Sequence, residues 1–462
     1  VLDGPGQARK LLGERGETIM DRRAFLAAPT LALAGLPAAA AAQAQRPSLP
    51  SLAGENALDL TSAAGEAFLY GLMLIENAGA RTTALAAPGA AANQLIHART
   101  LTTPATQRVT TPNNDTLYSR AWIDLSAGPV TLDMPGMGKR YVSHAFMDMY
   151  GTNFAVLGTR TTGGEAARVT LVGPNHETAD PLALRSPTRW VWLLTRILID
   201  GEADRAAANR LQDAMRLTGP AVAKPRAYPG RNAPWAEYFT GVQQLLIENP
   251  PPISDLAFFR RVSALGLGPT GGFDPTRFSS AQGAQIAAGM ARALAASRRP
   301  GAVRNGWTYP RANLGFFKQD YAYRANVALS GLAALTTDEA VYCRPAGMAA
   351  DRPQVLRFEK DQLPAVDSFW SLTAYERTPQ GQFFFFDNPL GRYAIGDRTP
   401  GLRYGADGSL EILIQRDDPG GARSANWLPA PRTAPLELVM RMYIPKPSVM
   451  DGDYSLPALR AA

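Results

Sequence analysis

The apolar residues of this chain change their spacing twice, and that change restricts the fold more than any other feature. Between about Val109 and Gly173 apolar and polar residues alternate, as in Val130-Thr131-Leu132-Asp133-Met134 before the breaker Pro135-Gly136. Alternation of this kind is the pattern of half-buried strands, and short strands with frequent turns predict a β-sandwich. From about Arg189 to Leu335 the spacing becomes three and four, over Trp192 to Ile199, Ala206 to Leu217, Ala257 to Leu265, Ala281 to Arg298 and Phe316 to Leu335. That spacing predicts helices, separated by the Pro and Gly runs at 249–252 and 268–272. After about Tyr342 the period returns to two. In 436–443 Leu436, Leu438, Met440 and Met442 face one side, with Glu437, Val439, Arg441 and Tyr443 on the other. The prediction is a multidomain α+β chain: a β-sandwich module over 61–188 that opens with a helix near 61–80, a helical segment over 189–335, and a second β-sandwich module over 336–462.

Ahead of these modules, residues 20–44 read as an export signal. Met20-Asp21-Arg22-Arg23 precedes an apolar run, which closes in Ala40-Ala41-Ala42 and Ala42-Gln43-Ala44. A charged start, a short apolar stretch and a small-residue cleavage site are the three parts of a signal peptide, and Arg22-Arg23 before Phe25-Leu26 resembles the twin-arginine type. On this reading residues 1–19 are upstream of the true start and 45–60 form a flexible leader. The mature chain is then expected in the periplasm or outside the cell. No later stretch reaches the roughly 18 to 20 apolar residues needed for a membrane-spanning helix.

Basic residues exceed acidic ones by seven over the whole chain, and nearly all of the excess is Arg scattered among Asp and Glu. With no run of Lys or Arg to follow a phosphate backbone, nucleic acid is not an expected partner. The single cysteine, Cys343, excludes an intramolecular disulfide, and its apolar neighbours Ala340-Val341-Tyr342 make it a buried small residue rather than a nucleophile. His97, His144 and His176 share no metal-ligand spacing, no Gly-x-Ser-x-Gly elbow is present, and no motif names a cofactor or a metal.

Several motifs resemble one bacterial family. Thr111-Pro112-Asn113-Asn114-Asp115-Thr116-Leu117-Tyr118-Ser119 is similar to the signature of domain of unknown function 1254. Phe369 to Tyr375, Asn388 to Tyr393, Asp407 to Leu410 and Asn426 to Pro429 resemble its companion, domain of unknown function 1214. The resemblance runs from about Tyr70 to Ala458. It implies an immunoglobulin-like N-terminal sandwich, a helical segment and a jelly-roll-like C-terminal sandwich, and brings no assigned reaction.

Chemistry is sought where polar residues gather on these motifs. Asp115 and Asp148 are candidate acids or bases, with Tyr118, Arg140 and Arg160 as candidate substrate-binding residues; the five are expected to meet in the first sandwich. Asn113 to Thr116 equally suits a turn, and Arg140, Asp148 and Arg160 equally suit a structural lock. Asp320 and Arg324 are spaced to pair along one helix. In the C-terminal module Trp370, Arg392 and Trp427 are candidate ligand contacts, or core residues. Three functions stay open: an enzyme on a small polar or aromatic molecule, a ligand- or carbohydrate-binding protein without turnover, and a structural or assembly protein. A homo-oligomer is compatible with each.

Overall fold

The computed structural model describes residues 58–107, 110–297, 301–347 and 352–462. The upstream segment, the export signal and all but the last residues of the leader lie outside the described residues. Helix α1 (Leu60–Leu85) opens the fold, its first turn capped by the Asp59 carboxylate, which accepts the Ser62 N–H at 3.0 Å. Fifteen of its 26 residues are buried, from Ala63 to Leu85. Strands β1 (Ile96–His97), β2 (Thr116–Asp124), β3 (Val130–Met134), β4 (Val142–Met147), β5 (Asn153–Gly158), β6 (Ala167–Val172), β7 (Leu184–Arg185) and β8 (Trp190–Leu198) follow. After them come α2 (Arg205–Ala214) and β9 (Arg216–Thr218). These strands make two sheets, in the orders β1-β2-β8-β4-β5 and β7-β6-β3-β9. Between them lies a core that includes Leu117, Ile123, Leu132, Phe146, Leu171, Val191, Leu193 and Ile197.

The helical layer holds α1 together with α3 (Trp235–Glu248), α4 (Leu256–Arg261), α5 (Ser280–Ala296) and, after the short strands β10 (Val303–Arg304) and β11 (Trp307–Thr308), α6 (Tyr321–Ser330). Helices α1 and α5 cross at Gly65 and Gly289, where a Cβ on Gly289 would stand 2.2 Å from the Thr61 carbonyl oxygen. Only glycine permits that approach.

The C-terminal module contributes β12 (Ala340–Pro345), β13 (Gln354–Phe358), β14 (Trp370–Arg377), β15 (Phe383–Phe384), β16 (Ala394–Gly396), β17 (Leu410–Gln415), β18 (Trp427–Pro429) and β19 (Leu436–Tyr443). A short helix α7 (Pro447–Asp451) and β20 (Arg460–Ala461) end it. One sheet runs β10-β11-β12-β19-β14-β15 with β16 also on β14, and the other runs β18-β17-β13-β20. Leu356, Phe358, Leu372, Ile412, Leu438, Met440, Met442 and the buried Cys343 fill the space between them. The chain is therefore an α+β multidomain protein built on antiparallel sheets.

Four local expectations are corrected. Residues 190–198 were predicted helical and instead form β8, paired on both sides by β2 and β4. An apolar run of nine residues satisfies either period, and its Trp, Val, Thr and Ile content favours the strand. Helix α1 packs with the helical layer rather than within the first two-sheet pack. Strand β4 ends at Met147, so Asp148, expected to meet the other candidates in the first sandwich, sits instead in the turn that follows. Asp320 does not pair with Arg324: it caps α6 by accepting the Tyr323 N–H at 3.1 Å and holds Arg311 at 3.0 Å.

Candidate functional site

The first sheet has two unlike faces. Leu117, Ile123, Val191, Leu193 and Ile197 point into the two-sheet core. On the other face Trp122, Trp190 and Trp192 pack under the helical layer, while Tyr141, Ala145 and Leu198 pack against Phe369 and Tyr443 of the C-terminal module. Between these two contacts lies a polar row. Tyr118 of β2 and Ser143 of β4 are both register partners of Arg196 on β8. Directly paired residues point to one side of a sheet, so the three side chains stand together.

The C-terminal sheet turns a matching row toward them. Tyr342 of β12 and Ser371 of β14 are register partners of Arg441 on β19, on the face opposite Leu438, Met440 and Met442. Arg441 is fully engaged, donating to the Thr373 hydroxyl at 2.6 Å and to the Tyr375 hydroxyl at 2.6 Å. The Asn113 loop enters from the first module. Its Asn113 Nδ2 donates to the Tyr443 hydroxyl at 3.0 Å, and the Ser371 hydroxyl donates to Asp115 at 2.7 Å. Arg398 lies 3.6 Å from the same carboxylate and pairs with Asp200 at 2.6 Å. The seam between the modules is thus a layer of phenols, guanidiniums and one carboxylate.

Arg196 stands apart within it. It is 5% exposed, and among the described residues its side chain makes one hydrogen bond, from Nη2 to the Ala333 carbonyl at 3.3 Å. Nε and Nη1 have no acceptor among the described residues, and the hydroxyl of fully buried Ser143 stands beside the Tyr141 phenol. Burial is the largest influence on its protonation and opposes the charge; the net shift is upward, through the charge that Tyr118, Tyr342, Tyr443 and Tyr141 would carry if ionised. Burial likewise raises Tyr342 and Tyr443, so both stay neutral hydrogen-bond donors. Tyr118 and Tyr342 are partly exposed and form the rim, with the guanidinium 5.4 Å from the Tyr118 ring. Such a site can bind an anion or stabilise negative charge.

The residues singled out from sequence do not form one cluster. Asp115 and Tyr118 lie at the seam. Arg140 pairs with Asp204 and donates to the Leu198 carbonyl at 2.6 Å. Arg160 reaches Glu339 at 2.7 Å and Asp338 at 3.0 Å, tying β12's approach to the first module. Asp148 is buried away from all of them, accepting the N–H groups of Tyr150 and Thr152 at 2.9 Å each. The five fail to meet because Asp148 leaves β4 in a turn and the two arginines find carboxylates of their own. Trp370 and Trp427 are 4% and 2% exposed, so neither offers a face for stacking. Arg392 donates to the carbonyl of Trp427 at 2.7 Å and that of Ala425 at 3.0 Å, binding loops together. Sequence reasoning missed Arg196, Ser143, Tyr342, Ser371, Arg398 and Arg441. The available signal was a charged residue set in an apolar strand, Arg196 in Trp-Leu-Leu-Thr-Arg-Ile-Leu and Arg441 in Leu-Val-Met-Arg-Met-Tyr.

Residues 92–219 match the model of the protein of unknown function DUF1254, and residues 346–447 match that of the protein of unknown function DUF1214. The chain belongs to this two-module family. The seam draws on both matched segments, with Asp115, Tyr118, Ser143 and Arg196 from the first and Ser371, Arg398, Arg441 and Tyr443 from the second. The crystal structure of the VPA0106 protein from Vibrio parahaemolyticus is similar, with 22% identity, a TM-score of 0.67 and coverage of 87% of this chain and 100% of that one. At that identity the likeness speaks for the fold alone. A putative uncharacterized protein from Burkholderia cenocepacia is 14% identical with a TM-score of 0.42, over 86% of this chain and 88% of its own. No functionally curated protein matches the sequence.

Proposed function

We propose that this chain is an exported protein that takes a small anionic molecule at the seam between its two modules. One observation carries the reading: a buried guanidinium, Arg196, whose Nε and Nη1 have no acceptor among the described residues. A buried charge left unpaired costs several kcal/mol, so a fold retains one where a partner arrives from outside. The rim tyrosines and Ser143 supply further donors. Export is supported by the three-part signal over 20–44, and the finer descriptions of the two-sheet packs, immunoglobulin-like and jelly-roll-like, by their shared-core pairs of mainly antiparallel sheets. Turnover is a second reading, favoured by Asp115, whose carboxylate lies at the seam between Ser371 and Arg398 and is placed to exchange a proton with a bound molecule.

The test is native mass spectrometry of the purified chain after incubation with a broad metabolite mixture. Wild type retains a low-mass anion and Arg196→Met does not. No retained species, or equal retention by both proteins, contradicts the reading. For export, the mature N-terminus is expected near Gln43 or Gln45, and an intact Val1 on periplasmic protein contradicts it.

A further inference from the structure

We infer that the seam binds a planar organic monocarboxylate. The inference rests on the seam being a ligand site and adds the class of ligand. Charge is the first argument. Arg441 faces Asp115 across the seam, Arg398 has Asp200 at 2.6 Å, and Arg160 has Glu339 at 2.7 Å. Arg196 has no carboxylate within ion-pair distance among the described residues, and its Nε and Nη1 have no acceptor there. The Arg196 charge therefore has no contacting counter-ion, and a single negative charge on a ligand would supply one.

The donors give the second argument. Ser143 and Arg196 are register partners on adjacent strands, so the Ser143 hydroxyl, beside the Tyr141 phenol, and the free guanidinium N–H groups lie side by side. Two oxygens on one carbon, in one plane, accept from both at once, as guanidinium and carboxylate geometries are matched. Shape gives the third. Tyr118 and Tyr342, flat residues from opposite modules, are partly exposed beside Arg196 and Arg441. A planar body fits against such rings and keeps its carboxylate directed inward.

Calorimetric titration of the full chain with benzoate, cyclohexanecarboxylate, benzamide and inorganic phosphate tests this. Benzoate is expected to bind at least about tenfold more tightly than neutral benzamide or phosphate, and about threefold more tightly than the non-planar acid. Arg196→Met abolishes benzoate binding. Ser143→Ala weakens it severalfold with the guanidinium in place, and serves alone should Arg196→Met not fold. Phosphate or benzamide binding as tightly as benzoate overturns the ligand class while leaving an Arg196-dependent seam site standing. No heat from any probe, beside metabolite retention that depends on Arg196, does the same. Benzoate binding unchanged in both variants overturns the seam site itself.

Discussion

Asp148 and His144 sit four residues apart, and burial acts on them in opposite senses. His144 points into the first two-sheet core against the Thr195 hydroxyl at 2.9 Å, and burial lowers its pKa to about 4. Folded protein thus binds fewer protons than unfolded protein between about pH 6.5 and 4, and stability falls with pH across that window. Asp148 is pushed up to about 6, mainly by burial, with its two backbone N–H donors opposing. Its ionised form is destabilising above about pH 6, and stability is recovered as pH falls from 6 toward 3.8. Between pH 7 and 5 the histidine is expected to cost roughly 2 kcal/mol and the aspartate to return roughly 1. Chemical denaturation of His144→Gln should therefore show little or no acid loss over this range. Asp148→Asn keeps the acceptor for Tyr150 and Thr152 and removes the buried charge. It should melt at or above wild type at pH 7.5, and should lose more stability than wild type on acidification to pH 5. A melting temperature several degrees lower at pH 7.5 would show that the charge itself holds the turn.

At the scale of elements, the tie between modules is the ion pair from the loop after β5 to the residue before β12. Glu339 is 1% exposed, its pKa raised first by burial, against the Arg160 guanidinium and the Tyr141 hydroxyl at 2.8 Å. Arg160→Met leaves that carboxylate buried with a single phenol, at an expected cost of about 3 kcal/mol in urea denaturation. A change within about 0.5 kcal/mol would mean that the seam is held without it. The strands of this region differ in how legible they were. In β19 strict alternation names both faces, because one meets an apolar core and the other a polar seam. In β8 both faces are covered, so the run reads as apolar throughout and alternation vanishes. The same effect hid Arg196: in a strand buried on both sides, a lone arginine has no patterned neighbours to mark its face. Asp115 and Tyr118 were legible because their turn and strand carry motif residues. Their partners Ser371, Arg398 and Arg441 were not, since they come together with Asp115 only by the facing of two sheets some 250 or more residues apart in sequence, as in the Ser371 to Asp115 contact.

Over the whole molecule, one sheet of the first module serves as a platform for everything else. Its inner face closes a two-sheet core, while its outer face carries the helical layer at one end and the C-terminal sheet at the other. Where the two outer contacts meet, apolar packing gives way to facing rows of Tyr118, Arg196 and Ser143 against Tyr342, Arg441 and Ser371. A seam built only to hold the modules together would gain more from apolar residues, since a buried charge without its counter-ion opposes folding. The account therefore assigns Arg196 to a ligand and not to stability. The melting temperature of ligand-free Arg196→Met against ligand-free wild type decides this most directly. The account predicts an equal or higher value for the variant, as the uncompensated charge is removed. A value lower by more than about 2 °C, of the order produced by losing about 2 kcal/mol in a chain this size, would make Arg196 a structural residue and contradict a ligand role.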